Sequence, residues 1–455
     1  MGSVPINLSP STATSGAGID VTSVVAQVLA GESGPEDQAK ATLTTLGTEQ
    51  TALSSLNTGL AALLTAVNSL GDVTGAITAR TVTSSRTDLV SATADSSAAS
   101  GQHTVVVSNL ATGSSYATGA QTSVTTPIGT GTFQLQLGSS TPVTITVDTT
   151  NNTLSGLAAS INSQQLGVTA SVVTDANGAR LSLQSNGTGQ ANDLTISNDT
   201  TGSNFAKTAT AVNASLTVDG LGISSGSNTV NGVLGGVTLN LLSAAPGSPI
   251  SLNVTPNTAS ATQALGNFVT AYNNLITSIN QQFTYDPASG TAGPLSGNGD
   301  LRGLQTQLLN EATYSVTGNN GITGLASIGV NLNDDGTLTV DSAKLSDTLA
   351  NHFTDFQNFF QAPTGQTGFA QHLSADLQNL TNPTQGLLNV AITQNQNDQK
   401  AVQATIRDFE DRLTTRRQQL TTEYSQVDAI LRAFPLLQSQ ITGQLASLPT
   451  ASPLR

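Results

Sequence analysis

The chain has 455 residues, room for roughly three domains with buried cores, and a net charge of −14 from 14 basic and 28 acidic residues. Charged residues make up 9% and aromatic residues 4%, which favours strands and polar-faced helices over a dense aromatic core. The acidic balance excludes a nucleic-acid partner for the middle of the chain, where Arg180 and Lys207 are the basic residues between 101 and 260, and the lack of cysteine excludes disulfides and thiolate sites.

Residues 1–19 are rich in Ser, Gly, Pro and Thr and are expected to be disordered. They show no basic n-region or apolar h-region, so no cleaved signal peptide is expected. Asp20 is placed to cap a short helix through VTSVVAQVLAG, closed by Gly31. From about Pro35 to Leu70 the pattern is heptad-like. With Leu43 at position a, the a and d sites are Leu43, Leu46, Gln50, Leu53, Asn57, Leu60, Leu64 and Val67, and Leu56, Leu63 and Leu70 flank them.

Between 101 and 258 the period changes. HTVVVSNLA, GTFQLQLG, PVTITVD, GVTASVVTD, ARLSLQS, ASLTVDG and GVTLNLLS are short alternating or β-branched runs bounded by Gly, Asn and Asp. One helical insert interrupts them at 154–164. Residues 259–383 are mixed: a strong helix ending near Phe283, the loop YDPASGTAGPLSGNGDLR, a second helix with Asp300 as cap, a hairpin around NDDG, then short helices. From about Leu387 to Leu448 apolar residues recur at Val402, Ile406, Phe409, Leu413, Leu420, Tyr424, Val427, Leu431, Phe434, Ile441, Leu445 and Leu448, mostly three or four apart. Sixty helical residues span roughly 90 Å, and Pro435 is expected to kink or break the helix.

The expected fold class is α+β and multidomain. Residues 20–75 and 386–455 form a coiled-coil leg, and 76–100 with 259–385 a mixed helical domain. Residues 101–125 with 209–258 form one β-rich head domain and 126–208 a second. Stripes as long as those of the leg need each other, or copies in neighbouring subunits. The predicted packing residues are Val24, Val28, Leu46, Leu53, Leu60, Leu64, Val67, Val402, Ile406, Phe409, Leu413, Leu420, Tyr424, Val427 and Leu431.

No catalytic constellation is legible. His103, His352 and His372 read as structural or surface residues, and no metalloprotease, nucleophile-elbow or phosphate-loop motif occurs. Residues 331–342, NLNDDGTLTVDS, imitate a calcium loop, but position 12 is Ser342 where a bidentate Glu is needed, so a hairpin turn is the better reading. The Gly-rich loop 285–302 follows a helix and has Arg302 as its one cation, so it reads as a connector. No catalytic residue, cofactor or metal ligand is expected, nor membrane insertion, since no stretch approaches 18 apolar residues.

Several runs carry a resemblance. FVTAYNNLITSINQQFTYDPASGTAGPLSGNGDLRGLQTQL, LASIGVNLNDDGTLTVDSAKL, GFAQHLSADLQNLTNPTQGLL and DRLTTRRQQLTTEYSQVDAIL resemble the C-terminal half of flagellar filament-capping proteins, the hook-associated protein 2 family. SGAGIDVTSVVAQVLAGE resembles that family's opening, and GLAASINSQQLGVTASVVTDANGARLSLQS resembles the repeat shared by flagellins and hook-associated proteins. Tyr424 stands where the family more often has Phe. The resemblance implies a non-enzymatic structural protein, secreted through the flagellar type III export apparatus without a cleaved signal. It implies a homo-oligomeric ring at the filament tip, a pentamer in most members, that retains flagellin and promotes its folding and polymerisation. Implied partners are flagellin, the hook-associated junction proteins and an export chaperone at the C-terminal helix. A flagellin-like or hook–filament junction subunit is the alternative, and a calcium-dependent extracellular adhesin resting on 331–342 is a second.

Overall fold

The computed structural model describes residues 18–287, 290–363 and 365–447. The expectation of disorder for 1–19 falls almost wholly outside these residues, as does Leu448.

Helix α1 (Val21–Glu32) starts where the Asp20 carboxylate accepts a hydrogen bond from the Ser23 amide at 3.1 Å. It runs through Gly31. Ser33 separates it from α2 (Gly34–Gly71), whose first turn holds Pro35, Glu36 and Asp37. Proline lacks the amide that would go unpaired there, and the acids face the positive end of the helix dipole.

Two β units follow, each with its own apolar centre. In the first, a five-stranded antiparallel sheet orders Arg80–Ser84, Ile250–Pro256, Gly101–Asn109, Ala214–Val218 and Leu221–Ser225. A three-stranded sheet orders Thr229–Leu234, Val237–Leu241 and Val90–Ala94. Val105, Val107, Leu216, Leu239, Ile250 and Leu252 are buried together. Residues 80–84 and 90–94, expected in the mixed helical part, are thus strands of this unit. Their partners lie more than 140 residues away, so no local pattern announces the pairing.

The second unit has a four-stranded sheet (Ala206–Ala209, Ser115–Ala117, Gly178–Ser185, Val168–Asp175), a three-stranded sheet (Val143–Val147, Gly131–Leu137, Leu194–Ser197) and helix α3 (Leu154–Ser163). Phe133, Ile145, Leu157, Ile161 and Leu183 fill its centre. Ser115–Ala117, expected with 101–125 in the other unit, pairs here with Gly178–Ser185. A three-residue run is too short to show which sheet it joins.

The largest core belongs to helices. α4 (Thr258–Phe283) buries Leu265, Phe268, Tyr272, Leu275, Ile276 and Ile279 along one side. Around it lie α5 (Gly299–Ala312), α6 (Ser342–Asn351), α7 (Phe353–Phe360), α8 (Phe369–Leu380) and the lower half of α2. Phe369 stacks on Phe359 at 5.3 Å and meets Phe268 edge-on at 5.9 Å, preferred geometries for aromatic pairs. The Tyr272 hydroxyl donates to the Leu308 carbonyl at 3.2 Å, and burial pushes it well above the usual phenol range. Gln361 is buried and its amide donates to the Leu70 and Asp72 carbonyls, both at 2.9 Å, which satisfies the open end of α2. α5 is capped by Asn298, whose side chain accepts from the Leu301 amide at 3.1 Å. The helix begins two residues earlier than expected, so Asp300 sits inside its first turn.

The last element is α9 (Leu387–Ala446), 60 residues long. Gly386 precedes it, and a Cβ there would lie 2.3 Å from the Leu380 carbonyl oxygen. The turn into the long helix therefore needs glycine for close approach. Pro435 lies within α9 without ending it. The proline removes one amide donor, and this part of the helix is solvent-exposed, where water can take up the freed carbonyl.

Candidate functional site

α9 runs antiparallel to the N-terminal helices along most of its length. The Asn395 amide donates to Glu49 at 3.2 Å, and Gln399 donates to the Leu46 carbonyl at 3.4 Å. Lys40 lies 3.9 Å from Glu410, Arg416 is 3.5 Å from Glu32, and the Ile19 amide donates to the Asp428 carboxylate at 2.9 Å. One partner's number falls steadily as the other's rises, which is the register of two antiparallel rods. These charged pairs are exposed and fix register more than they stabilise.

Apolar packing divides the leg in two. Its upper part joins α1 to α9: Val25, Leu29 and Leu420 are buried, with Val21, Val28, Leu413 and Tyr424 packed around them. Val24 is buried as well. Gly18 lies so close to α9 that a Cβ would sit 2.5 Å from an Asp428 carboxylate oxygen. Arg432, at 2.7 Å, and the Ile19 amide hold that carboxyl below its usual range. In the middle, Leu46, Val402 and Phe409 are half-buried and Ile406 is buried. Arg412 covers the Phe409 ring at 4.4 Å.

The rest of the predicted stripe has another neighbour. Leu53, Leu60 and Val67 are fully buried in the helical core with α4, and Leu64 packs against its edge. A heptad stripe announces an apolar face but not what covers it, and here the cover is a helix from the same chain.

Val427 and Leu431, expected to be packed, are solvent-exposed in the single chain. They belong to a longer stripe: Val427, Ile430, Leu431, Phe434, Leu437, Ile441 and Leu445, with Ile430 67% and Phe434 65% exposed. At about 100° per residue these seven positions fall within an arc of roughly 120°. A contiguous apolar face on a solvated helix marks a binding surface.

The histidines occupy three separate places. His103 Nδ1 is 2.7 Å from Asp219, and His352 Nδ1 is 3.6 Å from Asp355. His372 faces Glu311 on α5 and Asp376 on its own helix. Burial, aided by the nearby Asp376 carboxylate, pushes the Glu311 carboxyl up to about 7. No nucleophile adjoins any of these groups among the described contacts. In the calcium-like loop, Asp335 accepts hydrogen bonds from the Thr337 amide at 2.9 Å and hydroxyl at 2.6 Å, and Asn333 pairs with Thr337 across the turn. Asp335 Oδ1 thus serves the turn of the hairpin Val330–Leu332/Leu338–Val340. No described helix is long and apolar enough to cross a membrane.

The chain is 31% identical over 441 residues to the B-type flagellar hook-associated protein 2 of Pseudomonas aeruginosa, covering 90% of each chain. Models of the flagellar hook-associated protein 2 N-terminus and C-terminus match residues 17–114 and 211–434. The chain belongs to the flagellar hook-associated protein 2 family. A third model, the flagellin hook IN motif, matches 132–187, the heart of the second β unit. The flagellar hook-associated protein 2 of Escherichia coli K12 is 28% identical over 464 residues, covering 94% of this chain and 96% of its own. The crystal structure of the D1-D2-D3 domains of the flagellar cap protein FliD from Escherichia coli aligns with a TM-score of 0.63 at 29% identity, covering 76% of this chain and 99% of that one. Within this family member the C-terminal match stops at Phe434, beside Pro435, so Leu437, Ile441 and Leu445 lie beyond it.

Proposed function

We propose that this family member is a structural cap at the distal tip of the bacterial flagellar filament. It retains exported flagellin there and promotes its folding and polymerisation. Membership of the family supports the reading, and the uncovered stripe from Val427 to Leu445 carries it, because a stiff helix with one bare apolar face needs a partner. The partners proposed for the leg are neighbouring copies, which close into a ring of five, and the hook-associated junction proteins or flagellin at the filament end. Before secretion by the flagellar export apparatus, the same stripe is what an export chaperone would cover.

The test combines mass and growth. In native mass measurement the wild type forms closed rings, while Ile430→Ser/Phe434→Ser stays monomeric with its melting temperature unchanged, since exposed sites alter stability little. In cells lacking their own cap protein, that variant fails to support filaments and flagellin is lost to the medium. Unlimited polymerisation of the wild type would favour a filament or junction subunit instead. Normal filaments with the double variant would sink the leg assignment.

A further inference from the structure

Away from the leg, two helices of the large core bring three metal-ligating side chains together. Glu311 comes from the last turn of α5, while His372 and Asp376 sit one turn apart on α8. One ligand atom of each lies within 4.8 Å of the other two. His372 Nε2 is 3.3 Å from Glu311 Oε2 and 4.0 Å from Asp376 Oδ2. In a tetrahedral site with bonds of about 2.0–2.1 Å, ligand atoms stand about 3.3 Å apart. The His372–Glu311 edge already has that length, and Asp376, a third exposed, can close the rest by turning its side chain.

A second observation points to a ligand. The Glu311 side chain is nine-tenths buried, and its Oε2 lies 3.3 Å from His372 Nε2 without a hydrogen bond of good geometry. A buried carboxylate oxygen without a donor is unfavourable, and a cation at the centre of the cluster would relieve it. The Tyr314 ring stacks on His372 at 3.9 Å and 16°, which fixes the imidazole plane.

We propose that Glu311, His372 and Asp376 bind a divalent transition-metal ion, zinc by preference, with water completing the coordination. One imidazole with two carboxylates suits zinc, whereas calcium and magnesium take oxygen ligands alone. The ion would join α8 to the C-terminal end of α5.

The test uses the full-length protein, free of affinity tags and stripped with a chelator. Zinc chloride is titrated by calorimetry, and melting is followed with and without the metal. One ion per chain and a raised melting temperature are expected. His372→Gln and Asp376→Asn should each lose about tenfold or more in affinity, by analogy with the 10–100-fold effects of perturbing metal-site partners. Both positions are a third exposed, and circular dichroism with metal-free melting shows that the variants are folded. Glu311→Gln, nearly isosteric, serves as the third variant. The assignment is overturned if zinc does not bind saturably, or if His372→Gln binds it as tightly as wild type, which would place the ion at another histidine. An equal shift by magnesium would also overturn it.

Discussion

Leu420→Ala tests how α1 is held. Its docking centres on the cluster of Val25, Leu29 and Leu420, with four more side chains half-covered around them and Val24 buried beside it. At about 1.5–3 kcal/mol for each fully buried aliphatic side chain, the gross contribution of the three is roughly 5–9 kcal/mol. A buried Leu→Ala change costs about 2–5 kcal/mol, and here the lower end applies because the site borders solvent and can relax. A loss of about 2–3 kcal/mol is roughly a quarter to a half of that total. The expected outcome is local: amide exchange in residues 21–32 speeds up about 30- to 150-fold, at about 1.4 kcal/mol per factor of ten, while α4 keeps its protection and the main melting transition stays in place. Hydrogen-exchange mass spectrometry reads both regions in one experiment. Unchanged protection in α1 would refute the cluster as its anchor. Matching losses in α1 and α4 would refute the separation of leg and core.

Three further outcomes follow from the core. Gly386→Ala forces a Cβ within 2.3 Å of the Leu380 carbonyl oxygen and should destabilise by about 1–3 kcal/mol, seen as a lower urea midpoint. Gln361→Leu leaves the Leu70 and Asp72 carbonyls without their donor and should cost about 1–3 kcal/mol in the same assay. Glu311 gives a pH signature in chelator-treated protein. Its carboxyl is raised from 4.5 to about 7, so the folded state holds a proton that the unfolded chain has released. That contribution is full below about 4.5 and is lost as pH rises through about 7. Glu311→Gln lacks this loss, so its stability relative to wild type should improve by about 1–2 kcal/mol between pH 5 and 8, less than the full shift implies because Asp376 and His372 are partly solvated. A pH-independent difference between the two proteins would count against the assignment.

Signals carried by neighbouring residues were legible in the sequence. Asp20 caps α1 through a residue three positions on, and the apolar face of α4 repeats within its own helix. Partners distant along the chain were not. Leu53, Leu60 and Val67 look the same whether an α9 leg or α4 covers them, because a stripe encodes its width and not its neighbour. Arg80–Ser84 and Val90–Ala94 have the composition of strands, yet their place in the first β unit depends on residues 237–256. For α5, both Asn298 and Asp300 suit a cap, and the choice turned on where the chain leaves the loop. The histidine and aspartate of α8 are four apart and visible as a pair, but Glu311 joins them only through the packing of α5.

The antiparallel leg also sets an order of events. The bond from Ile19 to Asp428 spans 409 positions of the chain. Closing a flexible loop of that length costs about 5 kcal/mol in chain entropy beyond a constant. The β units and the helical core are built mainly from nearer pieces, and once they have folded, much of that loop is already gathered in. α1 then needs only to lie down on α9. A chain that emerges N-terminus first therefore carries α1 undocked until α9 arrives, so the leg forms after the β units and the helical core.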